Sequence, residues 1–445
     1  MLSMQDNETL TRVGPGTPMG EFMRKFWIPA CRSDELSADA DPLRIMLLGE
    51  KLLGFRDTSG RAGIMDHRCP HRGASLFYGR NEDGGIRCVY HGWKYGVDGT
   101  CLDMPNLPED KQFRSKVRAK AYPVQERNGV VWVYMGAEAQ KLPPLPEIEV
   151  LMLPADQVTI RCVQRQCNWL QSLEGEIDSS HFSFLHLGKV GEGDVDAATM
   201  HRFAVSNRAP DYRVKETDWG TMYCTYRSGD PGTMYYRVAH YVYPFFTLYP
   251  DGTFEDHIVA QAWVPMDDTH TMVFNFQYKG RTEALRTDKR GDYLPGFEGV
   301  PALLPNTTDW YGRWRLEANA SNDFMIDRDA QRNRSFTGIL GVHVQDQAII
   351  ESMGEIVDRS FEHLAYSDRM VMATRRTLLN AVRALKEREE VPRVRDEPGL
   401  CRQLRSGAFI ADETLDWLDA YVQQCGRVAD PAGIFRVPAS PASGG

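Results

Sequence analysis

The chain is predicted to be α+β, a small antiparallel β-domain followed by a larger domain of sheet and helix. Three observations predict it. Short strand patterns punctuated by Gly, Asp and Asn fill the stretch from about Leu43 to Tyr134. A second strand-rich block runs from about Met200 to Tyr278. From about Arg359 to Glu387, Phe361, Leu364, Met370, Val371, Leu378, Leu379, Val382 and Leu385 recur near helical spacing, as in one long packed helix.

Taken in order, residues 1–40 read as an N-terminal helical segment. Its Gly14–Gly20 stretch is no dinucleotide loop, because two prolines interrupt it and no strand precedes it. Residues 41–142 form the first domain, with strands at Ile45–Leu48, Leu52–Phe55 and Val130–Tyr134. Lys141–Pro146 reads as a linker, since its three prolines cannot enter a helix or sheet interior. Residues 147–436 form the second domain, opening with a helical pattern from Asn168 to Leu187. Residues 437–445 read as a flexible tail.

At 445 residues the chain is long enough for two substantial cores. A net charge of −9 with no basic block argues against a nucleic-acid partner. No apolar run reaches membrane-spanning length, and Met1–Thr11 is too polar for a secretory leader. Nine scattered cysteines are not a disulfide framework, so the expected location is a reducing cytoplasm.

Four residues carry the first chemistry. Cys69-Pro70-His71 is followed by Cys88-Val89-Tyr90-His91, a C-x-H hook and a C-x-x-H hook. Two thiolates and two imidazoles suit a [2Fe–2S] cluster with cysteines on one iron and histidines on the other. The rival is a Cys₂His₂ zinc site, but zinc hooks usually pair Cys with Cys and His with His. Here each hook mixes the two, which lets each loop reach both irons.

A second cluster lies downstream. His181 and His186 are five residues apart, which on a regular helix turns them about 140° from each other. They converge on one metal only if a helix end or bulge intervenes. Asp178, three residues before His181, shares a face with it. Asp346 is the candidate oxygen donor that completes a two-histidine, one-carboxylate facial triad for mononuclear Fe(II). His67 and His343 read as structural histidines near these segments, and Glu174 as either a support behind the metal site or a solvated helix carboxylate.

CPHRGASLFYGRN…RCVYHGWKYGVDG and N-W-x-Q-x-x-E-G-x-x-D-x-x-H-x-x-x-x-H together resemble the Rieske non-haem iron ring-hydroxylating oxygenases over nearly the whole chain. GTPMGEFMRKFWIPA and QDQAIIESMGEIVDRS look most like the phthalate-dioxygenase branch. The resemblance implies a catalytic domain of antiparallel sheet wrapped around a long helix (helix-grip type). It implies iron on His181, His186 and Asp346, and places Asp178 between the two metal centres. In the family, electrons pass from His91 of the partner subunit to Asp178 and His181, so a homotrimer or stacked trimers are expected.

The chain shows no flavin or nicotinamide fingerprint, so a separate flavin/iron–sulfur reductase is the expected electron donor. The branch favours small aromatic carboxylates and cis-dihydroxylation. Mono-oxygenation, O-demethylation and ether cleavage use the same irons, and a Rieske electron carrier is the remaining alternative. A substrate carboxylate calls for an arginine beside a hydroxyl. Arg237 with Ser179 is the first candidate pair; Ser180, Arg202 and Arg208 rank below them, and Asn168 resembles an asparagine near the iron's open face. Phe182, Phe184, Phe245 and Phe246 are candidate pocket aromatics.

Overall fold

The computed structural model describes residues 2–137, 141–282 and 285–439. In the first part, strands β1 (Trp27–Arg32), β2 (Leu43–Leu47), β3 (Glu50–Arg56), β4 (Ala62–Asp66), β5 (Arg80–Glu82), β6 (Gly85–Arg87), β7 (Lys94–Tyr95), β8 (Cys101–Asp103), β9 (Ala121–Tyr122), β10 (Val124–Arg127) and β11 (Val130–Tyr134) build three small antiparallel sheets. Their orders are β1-β11-β10, β2-β3-β4-β9 and β5-β6-β7-β8.

The segment expected to be helical over 1–40 is so only in part. It holds α1 (Met4–Thr11) and α2 (Pro18–Met23), then β1, which pairs with β11 from Trp27↔Tyr134 to Arg32↔Val130. The apolar run Trp27, Ile28, Ala30 and Cys31 is buried on both faces, so it is sheet core and not a helix stripe. Helix α1 packs away from this lobe: Asn7 accepts from Arg359 at 2.9 Å, and the Leu10 carbonyl accepts from the Trp169 indole at 3.2 Å.

The second part is one large antiparallel sheet. Strands β12 (Val158–Arg165), β13 (Asp211–Thr217), β14 (Gly220–Ser228), β15 (Thr233–Val242), β16 (Phe246–Leu248), β17 (Val259–Pro265), β18 (Thr271–Tyr278) and β19 (Gly407–Asp412) run in the order β12-β18-β17-β16-β15-β14-β13, with β19 paired to β15. Helices α3 (Trp169–Ile177), α4 (Arg202–Ser206), α5 (Arg328–Asn333), α6 (Val342–Glu351), α7 (Arg369–Arg388) and α8 (Trp417–Cys425) complete the domain.

Helix α7 lies in the grip of the sheet. Met370, Val371, Leu378 and Val382 are buried, and the Thr374 hydroxyl meets that of Thr221 on β14 at 2.9 Å. The helix starts ten residues later than the apolar spacing predicts, because Arg359 is drawn inward to Glu174 at 2.8 Å and the chain turns before Asp368. The expected tail at 437–445 lies outside the described residues from 440 onward. No helix among the described residues is long and apolar enough to cross a membrane.

Candidate functional site: two metal centres

The two hooks sit on matching loops. Gly73 N–H donates to the Cys69 carbonyl at 2.8 Å, and Gly92 N–H donates to the Cys88 carbonyl at 2.9 Å. Both glycines adopt left-handed backbone, φ +74° and +79°, which closes each turn without steric cost. At Gly92 a Cβ would also strike Pro105 at 2.6 Å.

Cys69 and Cys88 are buried, and the imidazoles of His71 and His91 stand together at 4.5 Å between ring centroids. Trp93 stacks on His71 at 4.3 Å and is itself pinned through its indole N–H to Asn106 at 2.7 Å. The Tyr95 hydroxyl lies 3.4 Å from Cys69 Sγ. Burial pushes the Cys88 thiol up, while the backbone N–H groups of Tyr90 and His91 pull it down. His91 Nδ1 is buried with no hydrogen-bond partner, as a nitrogen reserved for a metal would be. This donor set fits a [2Fe–2S] cluster.

The second centre depends on a break in helix geometry. Helix α3 ends at Ile177, and a single π-helical turn, Phe182–His186, follows. Helix end and π turn together bring His181 and His186 to 5.1 Å between ring centroids, which a regular helix forbids. Arg208 clamps this turn by donating to the carbonyls of Ser183 and Val190, each at 2.9 Å.

The third member comes from α6, where His343, Asp346, Gln347 and Ile350 share a face. Helices α3 and α6 approach so closely at Gly175 that a Cβ there would meet Ile350 Cδ1 at 2.7 Å. Asp346 Oδ1 consequently lies 3.1 Å from His186 Nε2 and 3.6 Å from His181 Nε2. One donor atom from each of the three residues falls within 4.8 Å of the others. Burial would raise the Asp346 carboxyl, but the two imidazoles hold it well below the usual range. His181 Nδ1 is buried without a hydrogen bond, and Asp178 Oδ2 stands 3.8 Å from it. The trio fits a mononuclear iron with an open coordination face.

Arg237 and Ser179 line the same pocket as the trio. Arg237 is 4% exposed, donates to the Pro250 carbonyl at 3.1 Å and to Ser179 Oγ at 3.5 Å, and lies 4.4 Å over the Phe182 ring. Among the described residues it forms no ion pair.

Several expectations are corrected. Asn168 does not face the metal: it caps α3, accepting from Leu170 N–H, and its amide donates to the carbonyls of Thr11 at 2.9 Å and Asp268 at 2.7 Å. Glu174 is no solvated carboxylate but lies buried between Arg359 and Arg375. Arg202 pairs with Asp230, and Arg208 is spent on the π turn. Phe184 is exposed, and Phe245 and Phe246 belong to the core. His67 packs against Trp310, whereas His343 opens onto the metal pocket.

Other site residues carried no sequence signal of their own. Gln345 accepts at 2.8 Å from His186 Nδ1 and fixes its ring. Glu176 lines the pocket, and burial together with Asp346 pushes its carboxyl up to about 8. His201 lies beside Arg237; burial first, then that guanidinium, lower it to about 4. Asp251 faces His257 at 2.9 Å, an imidazole that overcomes burial and holds the carboxyl at about 2.

Comparison with known proteins agrees with this construction. The chain matches the Rieske [2Fe-2S] domain over residues 26–123 and the LigXa C-terminal domain like family over residues 133–429. It is 48% identical to the 3-chlorobenzoate-3,4-dioxygenase oxygenase subunit of Comamonas testosteroni, over 95% of this chain and 99% of that one. It is 36% identical to the phthalate 4,5-dioxygenase oxygenase subunit of Pseudomonas putida, over 98% and 99% of the two chains. The solved structure of dicamba monooxygenase bound to dicamba shares the fold, with a TM-score of 0.55 at 16% identity, covering 83% of this chain and 100% of that one. A Rieske cluster domain joined to a mononuclear-iron catalytic domain, in a chain similar along its length to these subunits, belongs to the Rieske oxygenase family as an oxygenase subunit.

Proposed function

We propose that the chain is the terminal component of a multicomponent dioxygenase that cis-dihydroxylates a small aromatic carboxylate. The observation that carries the substrate class is Arg237, a buried guanidinium with no carboxylate partner among the described residues, beside Ser179 and the His181–His186–Asp346 trio. Asp251 in the same pocket feels the Arg237 charge but is paired directly with His257 at 2.9 Å. A buried cation with no direct ion pair is costly, and an incoming carboxylate reduces that cost through charge-assisted hydrogen bonds. The relatives named for chlorobenzoate and phthalate agree with that class.

Each residue then has a task. Cys69, His71, Cys88 and His91 hold the cluster; His181, His186 and Asp346 hold the mononuclear Fe(II). When bound, the two iron centres supply single electrons and the activation of O₂. Arg237 and Ser179 take the carboxylate and orient the ring, with Phe182 flanking it. Asp178 Oδ2, 3.8 Å from His181 Nδ1, is placed to accept that nitrogen's N–H and fix the ring once a rotamer change closes the gap. Asp178 is partly exposed, with 27% of its side chain accessible, so it can face His91 of the partner subunit in a homotrimer. Electrons enter from a separate flavin/iron–sulfur reductase.

Turnover of 3-chlorobenzoate, phthalate and methoxybenzoates under ¹⁸O₂, with a supplied reductase, tests the reading. The expected product is a carboxylated cis-diol carrying two ¹⁸O atoms from one O₂. A product with a single ¹⁸O, or release of formaldehyde alone, overturns dihydroxylation in favour of mono-oxygenation or demethylation. Indifference of Arg237→Met to the carboxylate overturns the substrate class.

A further inference from the structure

A second cavity lies on the other side of His343. Its floor is the edge of the large sheet, where Arg161, Val163 and Arg165 of β12 alternate onto one face. Along this face the strand runs from exposed Arg161, opposite Asn275, through half-buried Val163, opposite Val273, to buried Arg165. Leu303 and Trp314 cover it from the loop side, and His343 and Gln347 wall it from α6. The cavity, open on its loop side where Leu303 is exposed, has a volume of about 250 Å³ and mostly apolar walls. That is near the small end of ligand sites, which run from roughly 300 to 1,000 Å³, and suits a single ring.

Three polar groups in this cavity lack partners. Arg165 is 5% exposed and lies 4.9 Å from the Trp263 ring, yet among the described residues it makes no hydrogen bond and no ion pair. The carboxylates within its electrostatic reach are Asp346, Glu176 and Glu351. Asp346 faces the two imidazoles, and Glu351 accepts from Gln166 N–H and Gln347 Nε2, each at 2.7 Å. Asn275 Oδ1 and Gln347 Oε1 are buried acceptors with nothing donating to them. A guanidinium offers five N–H donors in a planar fork matched to a carboxylate, and buried polar groups left unpaired call for a ligand that pairs them.

We infer that this cavity is a second ligand chamber, which takes a single-ring aromatic carboxylate bearing a ring hydroxyl. Arg165 holds the carboxylate, Val163, Val273 and Leu303 enclose the ring, and the orphaned acceptors of Asn275 and Gln347 receive the hydroxyl. His343 lines both this chamber and the metal pocket, so it separates a waiting or departing ring from the reacting one. The inference stands on Arg165 and its cavity and is independent of the role proposed for Arg237.

Calorimetric titration of the iron-loaded protein with 3-hydroxybenzoate, without reductant and under nitrogen, counts the sites. Quenching of tryptophan fluorescence follows the chamber through Trp314. Two sites per chain are expected, with one lost in Arg165→Met and also in Leu303→Trp, which fills the chamber from its lid without touching the buried cation. Unchanged far-UV circular dichroism and an unchanged thermal unfolding transition of the second domain show that each variant is folded. Arg237→Met is expected to remove the other site. A single site lost in Arg237→Met overturns the chamber, as do two sites indifferent to both chamber variants, or no binding at millimolar ligand. A single site lost in Arg165→Met and Leu303→Trp but kept in Arg237→Met leaves the chamber standing and overturns the carboxylate role of Arg237.

Discussion

Asp178 Oδ2 stands 3.8 Å from His181 Nδ1, a nitrogen that is buried and has no hydrogen-bond partner. The gap is longer than a hydrogen bond and short enough for a rotamer adjustment to close it. Carboxylates placed behind a ligating imidazole fix its tautomer and orientation, and their loss costs about 10–100-fold in metal affinity or activity. Asp178→Ala is expected to lower turnover by about 100-fold while the cluster spectrum is retained. Iron analysis together with steady-state turnover checks it; full iron loading with near wild-type turnover sinks the role of Asp178 between the centres.

Gln345 does the same for the other imidazole. Its Oε1 accepts from His186 Nδ1 at 2.8 Å, while its Nε2 donates to the carbonyls of Gly296 at 3.1 Å and Ile339 at 2.9 Å. Gln345→Leu removes the orientation and one donor from each carbonyl, leaving Gly296 with Gly341 N–H at 3.0 Å and Ile339 with the Thr337 hydroxyl at 3.4 Å. Mononuclear iron content is expected to fall, with affinity down about 10-fold or more, while the cluster iron stays. Metal titration of the variant reads it, and unchanged affinity refutes the role.

The candidate ligand set was legible in the sequence as residue types and spacings, and the structure brings His181, His186 and Asp346 within 4.8 Å of one another. The C-x-H and C-x-x-H hooks fall on loops closed by Gly73 and Gly92, and the five-residue step from His181 to His186 required the irregularity that the π turn provides. Partners chosen by the fold were hidden. Asn168 reads as a site residue from its motif, yet its position puts the amide against Thr11 and Asp268, more than a hundred and fifty residues before it and a hundred after it in the chain. Glu174 looks solvated on a helix pattern, and only the fold shows two arginines closing on it, Arg375 from α7 and Arg359 from the segment before it. Arg165 sits at the end of an ordinary strand, and nothing local marks its lack of a partner.

Glu174 provides a stability test of that packing. It accepts from Arg359 at 2.8 Å and from Arg375 at 2.6 Å, and both guanidinia are buried. Burial would raise its carboxyl, but the two arginines win and hold it low. Glu174→Gln leaves Arg359 facing a neutral amide and Arg375 with Glu362 alone, and is expected to cost about 3 kcal/mol, the lower end of the usual penalty for breaking a buried pair. Urea denaturation at neutral pH measures it; a loss below about 1 kcal/mol contradicts the account.

His240 sets part of the acid limit of stability. It is fully buried on β15, its Nε2 lies 3.1 Å from the Arg405 carbonyl, and its Nδ1 has no partner. Burial lowers its ionisation to about 4 from an ordinary value of 6.5. Between those two values the unfolded chain takes up a proton at this position that the folded chain refuses, so acid favours unfolding. Above about 6.5 neither state is charged there and the contribution is flat. The wild-type chain is therefore expected to lose about 2 kcal/mol at this one position between pH 7 and pH 5. His240→Gln keeps an N–H for the Arg405 carbonyl and removes the titration. Its denaturation midpoint is expected to fall less steeply over that interval, whatever its stability at pH 7. Parallel pH dependence in the two proteins shows that another group carries the acid loss.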